Sequence, residues 1–420
     1  MQEFFYDGDL LMCEGISLRE VGKRFGTPLY VYSKHSIVDH CRHIERAFDG
    51  HEHLTCYAAK ANSNRTILNI ISREGLGADV NSKGELYLAL ESGFPPNKIT
   101  FSGVGKTDDE IAYALTHDIL AFNVESREEV EILNSIAGRM GKTGRILVRV
   151  NLDIEAGGHA YVSTSVKQTK FGIAWRDAGG LLKWAQGLPH IHVRGIHSHL
   201  GSQIIESETF VAAANALARL IDEVRREGVR VQDLDFGGGF GVQYRGYVKH
   251  AKLPAEEPEA LNISAAILVK TVLPLLKRTG CRISVQPGRS IVAHSGVLLT
   301  RVLYRKETDE KVFIVVDGGM NDLLRPSLYD SYHQIVPLEL TGAAHEQVDV
   351  VGPLCEAGDF FARDRQMQRV ERGEYLALMC AGAYGYVLAS NYNARPRPSE
   401  VLIDGDVCTV IRERETIEQL

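Results

Sequence analysis

A chain of 420 residues with 44% hydrophobic and 24% charged content has the make-up of a soluble globular protein large enough for two domains. Its net charge of −7 argues against a nucleic-acid partner, whose phosphates call for a basic surface. No apolar run approaches a membrane span, and MQEFFYDGDL carries no basic region ahead of an apolar core, so neither a membrane association nor a signal peptide is expected. The seven cysteines are scattered, odd in number and without CxxC spacing, which fits the cytoplasm and neither a disulfide framework nor a metal site.

Residues 1–35 hold short strand-like pieces such as Pro28-Leu-Tyr-Val-Tyr32, and a helical stretch follows over 34–48. Apolar, β-rich runs then recur at 55–59, 77–81, 99–103, 119–124, 145–151, 193–199, 231–236 and 282–286. Helix-like segments lie between them, at 66–74, 83–92, 108–117, 127–140, 177–187, 208–227 and about 259–278. Eight strands alternating with helices predict a (β/α)8 TIM barrel over 36–283. An open doubly wound sheet is less favoured because no GxGxxG follows the first strand. After residue 289 the pattern turns to strands and turns, closing with a hairpin across Asp404-Gly405-Asp406. Residues 1–35 with 284–420 therefore read as a second, all-β domain, and 252–259 as an insertion after the seventh strand.

In such a barrel, function collects at the C-terminal ends of the strands. The ends here carry Lys60, Asp79 with Asn81, Ser102, Asn151, His197 to Ser202, Asp235 to Gly241, and Gln286-Pro287-Gly288-Arg289. Lys60 stands among Tyr57, Ala58, Ala59 and Ala61. Burial there would disfavour its ammonium form and leave an amine able to form a Schiff base. Gly237, Gly238 and Gly239 let backbone N–H groups approach an anion, and Gly288-Arg289 adds a guanidinium on the next loop. Loops after the seventh and eighth strands are this fold's recurring phosphate site. An amine and a phosphate cradle suggest one ligand bearing an aldehyde and a phosphate, as pyridoxal 5'-phosphate does, with His199 stacked on its ring. In the second domain, Cys355 and Glu356 share a glycine-bearing turn. A thiol there, ordinary pKa about 8.5, suits a proton donor. Arg325 with Tyr329, and Tyr384 with its neighbours, form two further polar loops.

The ordered set YAAKAN, HSHLGSQ, DFGGGFGV, QPGRSIVA, RPSLYD, GPLCEAGD and GAYGYVLASNYNARPRPSEVL resembles the successive motifs of the diaminopimelate decarboxylases. These are pyridoxal-phosphate enzymes of the alanine-racemase fold. The resemblance runs from about residue 30 to 404. It implies that Lys60 binds the cofactor covalently and that Cys355 donates the proton. Asp79, His199, Ser202, Gly237, Gly238, Gly239, Gln286, Pro287, Gly288, Arg289 and Tyr384 would hold the cofactor. Arg289, Arg325, Tyr329, Glu356 and Tyr384 would contact substrate. It also implies a homodimer with shared active sites, the CEAGD loop serving the other subunit. The substrate implied is meso-diaminopimelate, which gives lysine. Its distal carboxylate suits the arginines and its distal ammonium suits Glu356. One position departs from the family pattern: Gln286 stands where a glutamate usually pairs with the cofactor's ring nitrogen, and an amide contributes no full charge. Two alternatives are a same-fold decarboxylase or racemase acting on another amino acid, and a pyridoxal-phosphate-binding relative with little turnover because of Gln286.

Overall fold

The computed structural model describes residues 3–154, 169–256 and 264–420. The chain divides into two compact units, one of Met1–His40, Gln243–Asn262 and Ile291–Leu420, the other of Cys41–Val242 and Ile263–Ser290.

The second of these is the expected barrel. Its strands are His53–Ala58, Gly77–Val80, Ile99–Phe101, Ala121–Val124, Gly144–Asn151, Ile191–His197, Asp233–Asp235 and Arg282–Val285. Each pairs in parallel with the next, and the ring closes where Ile283, Ser284 and Val285 lie opposite His53, Leu54 and Thr55. Almost every residue of these strands is buried, as expected where helices cover one face of a parallel sheet and the barrel core fills the other. The helices start where their caps dictate. Ser82 accepts from the Glu85 N–H ahead of Lys83–Glu91, and Thr107 and Glu110 form a reciprocal capping box ahead of Asp108–Thr116. Arg127–Met140 buries Val130, Leu133, Ile136 and Ala137 along one stripe and stops at Gly141, whose φ of 63° is the left-handed stop glycine tolerates best. The barrel strands and most of the helices read from the sequence fall within a few residues of these; the helix expected from about 259 is described over Ala265–Lys277, and its expected start, like the end of the 252–259 insertion, lies outside the described residues.

The other unit is mostly β. Leu29–Ser33, the strand expected near the N-terminus, pairs antiparallel with the long strand Gly296–Glu307 and parallel with Ser399–Asp404. The N-terminal segment is thereby woven into the same sheet as the C-terminal one. The expected closing hairpin is present: Ser399–Asp404 pairs with Val407–Arg412, with Asp404 opposite Val407 around Gly405-Asp406. No helix among the described residues is long and apolar enough to cross a membrane.

Candidate active site

The stretch around Lys60 is a strand, a turn and a helix cap in succession. The first strand ends at Ala58, and Ala59–Ala61 make one 3-10 turn. The Tyr57 hydroxyl donates to the Asn62 carbonyl at 3.0 Å. Asn62 Oδ1 accepts from the Asn64 N–H, and Asn64 Oδ1 accepts from the Thr66 N–H, capping Arg65–Arg73. Lys60 is exposed, whereas Ala59 and Ala61 are buried. The expectation that its apolar neighbours would bury the lysine is therefore corrected. With about three residues per turn, successive side chains of a 3-10 turn leave in different directions, so the alanines pack inward and the amine is turned out.

The anion-binding end is assembled from three loops of the same barrel. A Cβ built on Gly288 would meet the Cβ atoms of Ala58 and Ala61 at 3.1 Å, so the loop after the eighth strand packs directly on the Lys60 loop. The Ala58 N–H donates to the Pro287 carbonyl at 3.0 Å, which ties the same two loops. Arg289 is buried and its Nη2 donates to Ser202 Oγ at 2.8 Å. The glycine run is used differently from the expectation that all its amides would face an anion. The Gly237 N–H donates to Asp235 Oδ1 at 2.8 Å and the Gly238 N–H to His199 Nδ1 at 3.1 Å. Of the three, only the Gly239 N–H has no intramolecular partner among the described residues. The cradle is thus one backbone amide, the Ser202 hydroxyl and the Arg289 guanidinium.

Because Nδ1 of His199 accepts a backbone N–H, the ring proton lies on Nε2 and the imidazole is neutral. Burial and the nearby charge of Lys60 both hold its pKa well below the ordinary value, so the ring offers a flat, uncharged wall. Asp79 is almost fully buried, accepting from Ser102 Oγ at 2.5 Å and Thr100 Oγ1 at 3.1 Å. Burial pushes its carboxyl up, against the opposing pull of the Lys60 ammonium and those hydroxyls. Gln286 Nε2 donates to Asp79 Oδ1 at 3.2 Å and to Asp235 Oδ2 at 2.8 Å. An aldehyde and a phosphate on one aromatic ring need an amine, a flat wall and an anion cradle. Lys60, His199 and the Ser202–Arg289 cluster are those three parts, and the donor set fits pyridoxal phosphate.

The mostly-β unit carries the other residues singled out in the sequence. Arg325 opens the short helix Arg325–Tyr329 and is buried. Its Nη1 donates to His333 Nε2 at 2.9 Å, and His333 Nδ1 donates to the Met379 carbonyl at 2.8 Å, so His333 is neutral with its proton on Nδ1. The guanidinium lies 4.8 Å from the centre of the Tyr244 ring, a cation–π contact that helps offset its desolvation. Cys355 and Glu356 are exposed. The Cys355 N–H donates to Asn393 Oδ1 at 2.9 Å, and the Tyr392 hydroxyl reaches Glu356 Oε2 at 3.4 Å. Their loop closes around Asp359, whose carboxylate accepts the Leu354 and Met320 N–H groups, both at 2.7 Å. Tyr329 and Tyr384 are half-buried, and Tyr384 has a φ of 56°, a conformation a bulky residue adopts only when its surroundings demand it.

Four residues with no role assigned from the sequence adjoin these groups. Asp235, Ser102 and Thr100 bind the Asp79–Gln286 pair directly, and Arg149, in a buried ion pair with Glu125 at 2.9 Å, acts through its charge on Asp79 and His199. Asp235 and Ser102 stand at the predicted strand ends, and that position was the available signal.

A barrel rim with these parts defines a pyridoxal-dependent decarboxylase, and residues 34–293 match the family described as "Pyridoxal-dependent decarboxylase, pyridoxal binding domain". The chain is 42% identical over 416 residues to the diaminopimelate decarboxylase of Aquifex aeolicus, covering 99% of this chain and 96% of that one. It is 42% identical to that of Pseudomonas aeruginosa, covering 100% and 98%. The crystal structure of diaminopimelate decarboxylase from Helicobacter pylori complexed with L-lysine superposes with a TM-score of 0.88 at 38% identity, covering 96% of this chain and 98% of that one. The chain belongs to the diaminopimelate decarboxylase family.

Proposed function

We propose that this protein removes carbon dioxide from the D-configured end of meso-2,6-diaminopimelate to give L-lysine. The observation that carries the reading is the packing of Gly288 on Ala58 and Ala61, which sets the Ser202–Arg289 cluster and the Lys60 amine on adjoining loops of one rim. Pyridoxal phosphate, when bound, supplies the electron sink for the carbon that loses its carboxylate. Lys60 supplies the amine for the cofactor's aldehyde carbon, His199 the wall for its ring, and Ser202, Gly239 and Arg289 the contacts for its phosphate. The bond broken joins the α-carbon to its carboxylate, and the bond formed joins that carbon to a proton supplied from Cys355 Sγ. Arg325, with Arg289, takes the distal carboxylate of the substrate, where a planar two-pronged donor suits a carboxylate. Glu356 takes the distal ammonium, and Tyr329 and Tyr384 complete the substrate contacts. A diamine-forming decarboxylase has no distal carboxylate to occupy those arginines.

The protein works as a cytoplasmic homodimer in which the Cys355–Glu356 loop of one subunit serves the other subunit's barrel. The family resemblance and the exposure of both residues support this. Two tests address the reading. Lysine and carbon dioxide should appear from meso-diaminopimelate, and the visible absorbance of the cofactor-loaded protein should vanish in Lys60→Ala. Persistence of that band would sink the role of Lys60. Mixing inactive Lys60→Ala with inactive Cys355→Ala should restore about a quarter of wild-type activity through mixed dimers; no restoration would rule out shared sites.

A further inference from the structure

Gln286 sits at the end of the eighth strand with its amide between two acids, at 3.2 Å from Asp79 Oδ1 and 2.8 Å from Asp235 Oδ2. The residues are 5% (Gln286), 1% (Asp79) and 0% (Asp235) exposed. The amide nitrogen faces both acids, and its two N–H groups are both used. The side-chain carbonyl oxygen is then left to accept, and the neighbouring His197 ring also interacts with this amide. An amide whose N–H groups are held by carboxylates has a more electron-rich oxygen, because hydrogen bonds in a chain polarise one another. The acids are themselves held in place, Asp79 by Ser102 and Thr100, and Asp235 by the Gly237 N–H.

The charges that act on this cluster are few. Burial pushes the Asp79 carboxyl up, with Lys60 and Arg149 pulling the other way. Asp233 and Asp79 disfavour the ionised form of Asp235, whose carboxyl burial pushes up to about 7. The Cys56 thiol is held well above its ordinary range, first by burial and then by these two acids, so it adds no charge of its own. His197 is kept neutral by burial. Two acids thus stand directly behind a neutral amide, at 3.2 and 2.8 Å from its nitrogen. A glutamate at 286 would be a third carboxylate crowded against two.

Resting on the pyridoxal-phosphate reading above, we propose that the Gln286 carbonyl accepts the proton of the cofactor's ring nitrogen, while Asp79 and Asp235, behind its amide, supply the negative charge that keeps the proton there. Gln286 touches the cofactor, and the two aspartates are positioning residues that act through it. The charge a glutamate would place beside the ring is moved one residue back.

The test loads the full-length protein with pyridoxal phosphate labelled with 15N in the ring and follows that nitrogen's chemical shift against pH. In wild type the ring nitrogen should be protonated at pH 7. Asp79→Asn and Asp235→Asn should each lower the midpoint by about 1 pH unit or more, and the double variant by more than either. Gln286→Met, similar in length but without an acceptor, should lower it as well, and Gln286→Glu should raise it. A purely structural role would lower the melting temperature and leave the midpoint where it was. An unprotonated wild-type ring nitrogen at pH 7 would overturn the proposal, as would a midpoint unmoved in Gln286→Met. Should the double variant fail to fold, Gln286→Met decides alone. Failure of wild type to bind the labelled cofactor would instead overturn the pyridoxal-phosphate reading, and this inference with it.

Discussion

The backbone N–H of Gly238 donates to Nδ1 of His199, and this one 3.1 Å bond determines which nitrogen of the ring carries the proton. Gly238 has no room for anything larger: a Cβ there would lie 2.1 Å from the backbone carbonyl oxygen of Gln286. Gly238→Ala must push the two loops apart and lose the bond to His199. Overpacking of this kind costs about 1–3 kcal/mol. The variant should melt earlier and retain less cofactor after gel filtration, read by visible absorbance against protein concentration. Retention equal to wild type would show that the bond does not hold the ring.

Asp235 gives the protein a pH signature. Its carboxyl is raised to about 7 by burial, against an ordinary value of 3.8. The folded form therefore binds a proton more tightly than the unfolded chain, so this group's stabilisation is complete below about pH 4 and is lost as pH rises through about 7. The difference in unfolding free energy between wild type and Asp235→Asn, measured by urea titration, should thus shift against wild type between pH 4.5 and pH 8. A difference constant across that range would mean that Asp235 ionises in the fold as it does in the unfolded chain.

Arg325 should separate binding from stability. Arg325→Met removes the donor to His333 Nε2 and the stack on Tyr244. Removing one partner of a buried, hydrogen-bonded charge costs about 2–5 kcal/mol, which predicts a fall in kcat/KM of about 100-fold or more if Arg325 also holds substrate. Arg325→Lys keeps the charge and loses the fork, and should recover only part of the loss. Steady-state kinetics with meso-diaminopimelate decide. A kcat/KM within about threefold of wild type in both variants would remove Arg325 from the substrate site.

Asn64→Ala tests the support beneath Lys60. The cap it removes is worth about 1 kcal/mol. The Asn64 backbone N–H also donates to Asn62 Oδ1, and the Asn62 carbonyl receives the Tyr57 hydroxyl; the alanine variant keeps both bonds, so any loosening reaches the turn that carries the lysine only through the uncapped helix start. Urea unfolding should show the lost stability, and borohydride trapping of the cofactor on Lys60 should slow. Trapping at the wild-type rate would show that the turn holds its shape without the cap.

The barrel was legible because its signal is local. Each strand is an apolar, β-rich run long enough to stand out, and the helices between them begin at Ser82, Thr107 and Ser126, residues that cap by their own chemistry. The ends of the strands named most of the candidate residues for the same reason. What the sequence could not display is pairing that exists only after the ring closes. Gln286 and Asp79 are 207 positions apart, and nothing in either neighbourhood marks the other as a partner. The outward turn of Lys60 was hidden differently. Apolar flanks suggest burial when counted along the chain, but the 3-10 turn sends Ala59 and Ala61 one way and Lys60 another. The glycine run invited the reading of three amides facing one anion. Its side-chain neighbours Asp235 and His199 claim two of them, a choice made by tertiary packing.

The carboxylate of Asp359 gathers the N–H groups of Leu354 and Met320 and closes the neck of the loop that carries Cys355 and Glu356. The loop is exposed at its tip and knotted at its base. Backbone freedom that a surface thiol would ordinarily surrender on meeting its target is here surrendered during folding. A ligand engaging this loop in the proposed role would therefore find it already tied at its base, with little left to order at the moment of encounter. Cutting that knot with Asp359→Ala would leave the thiol and carboxylate chemically intact and make every engagement entropically dearer.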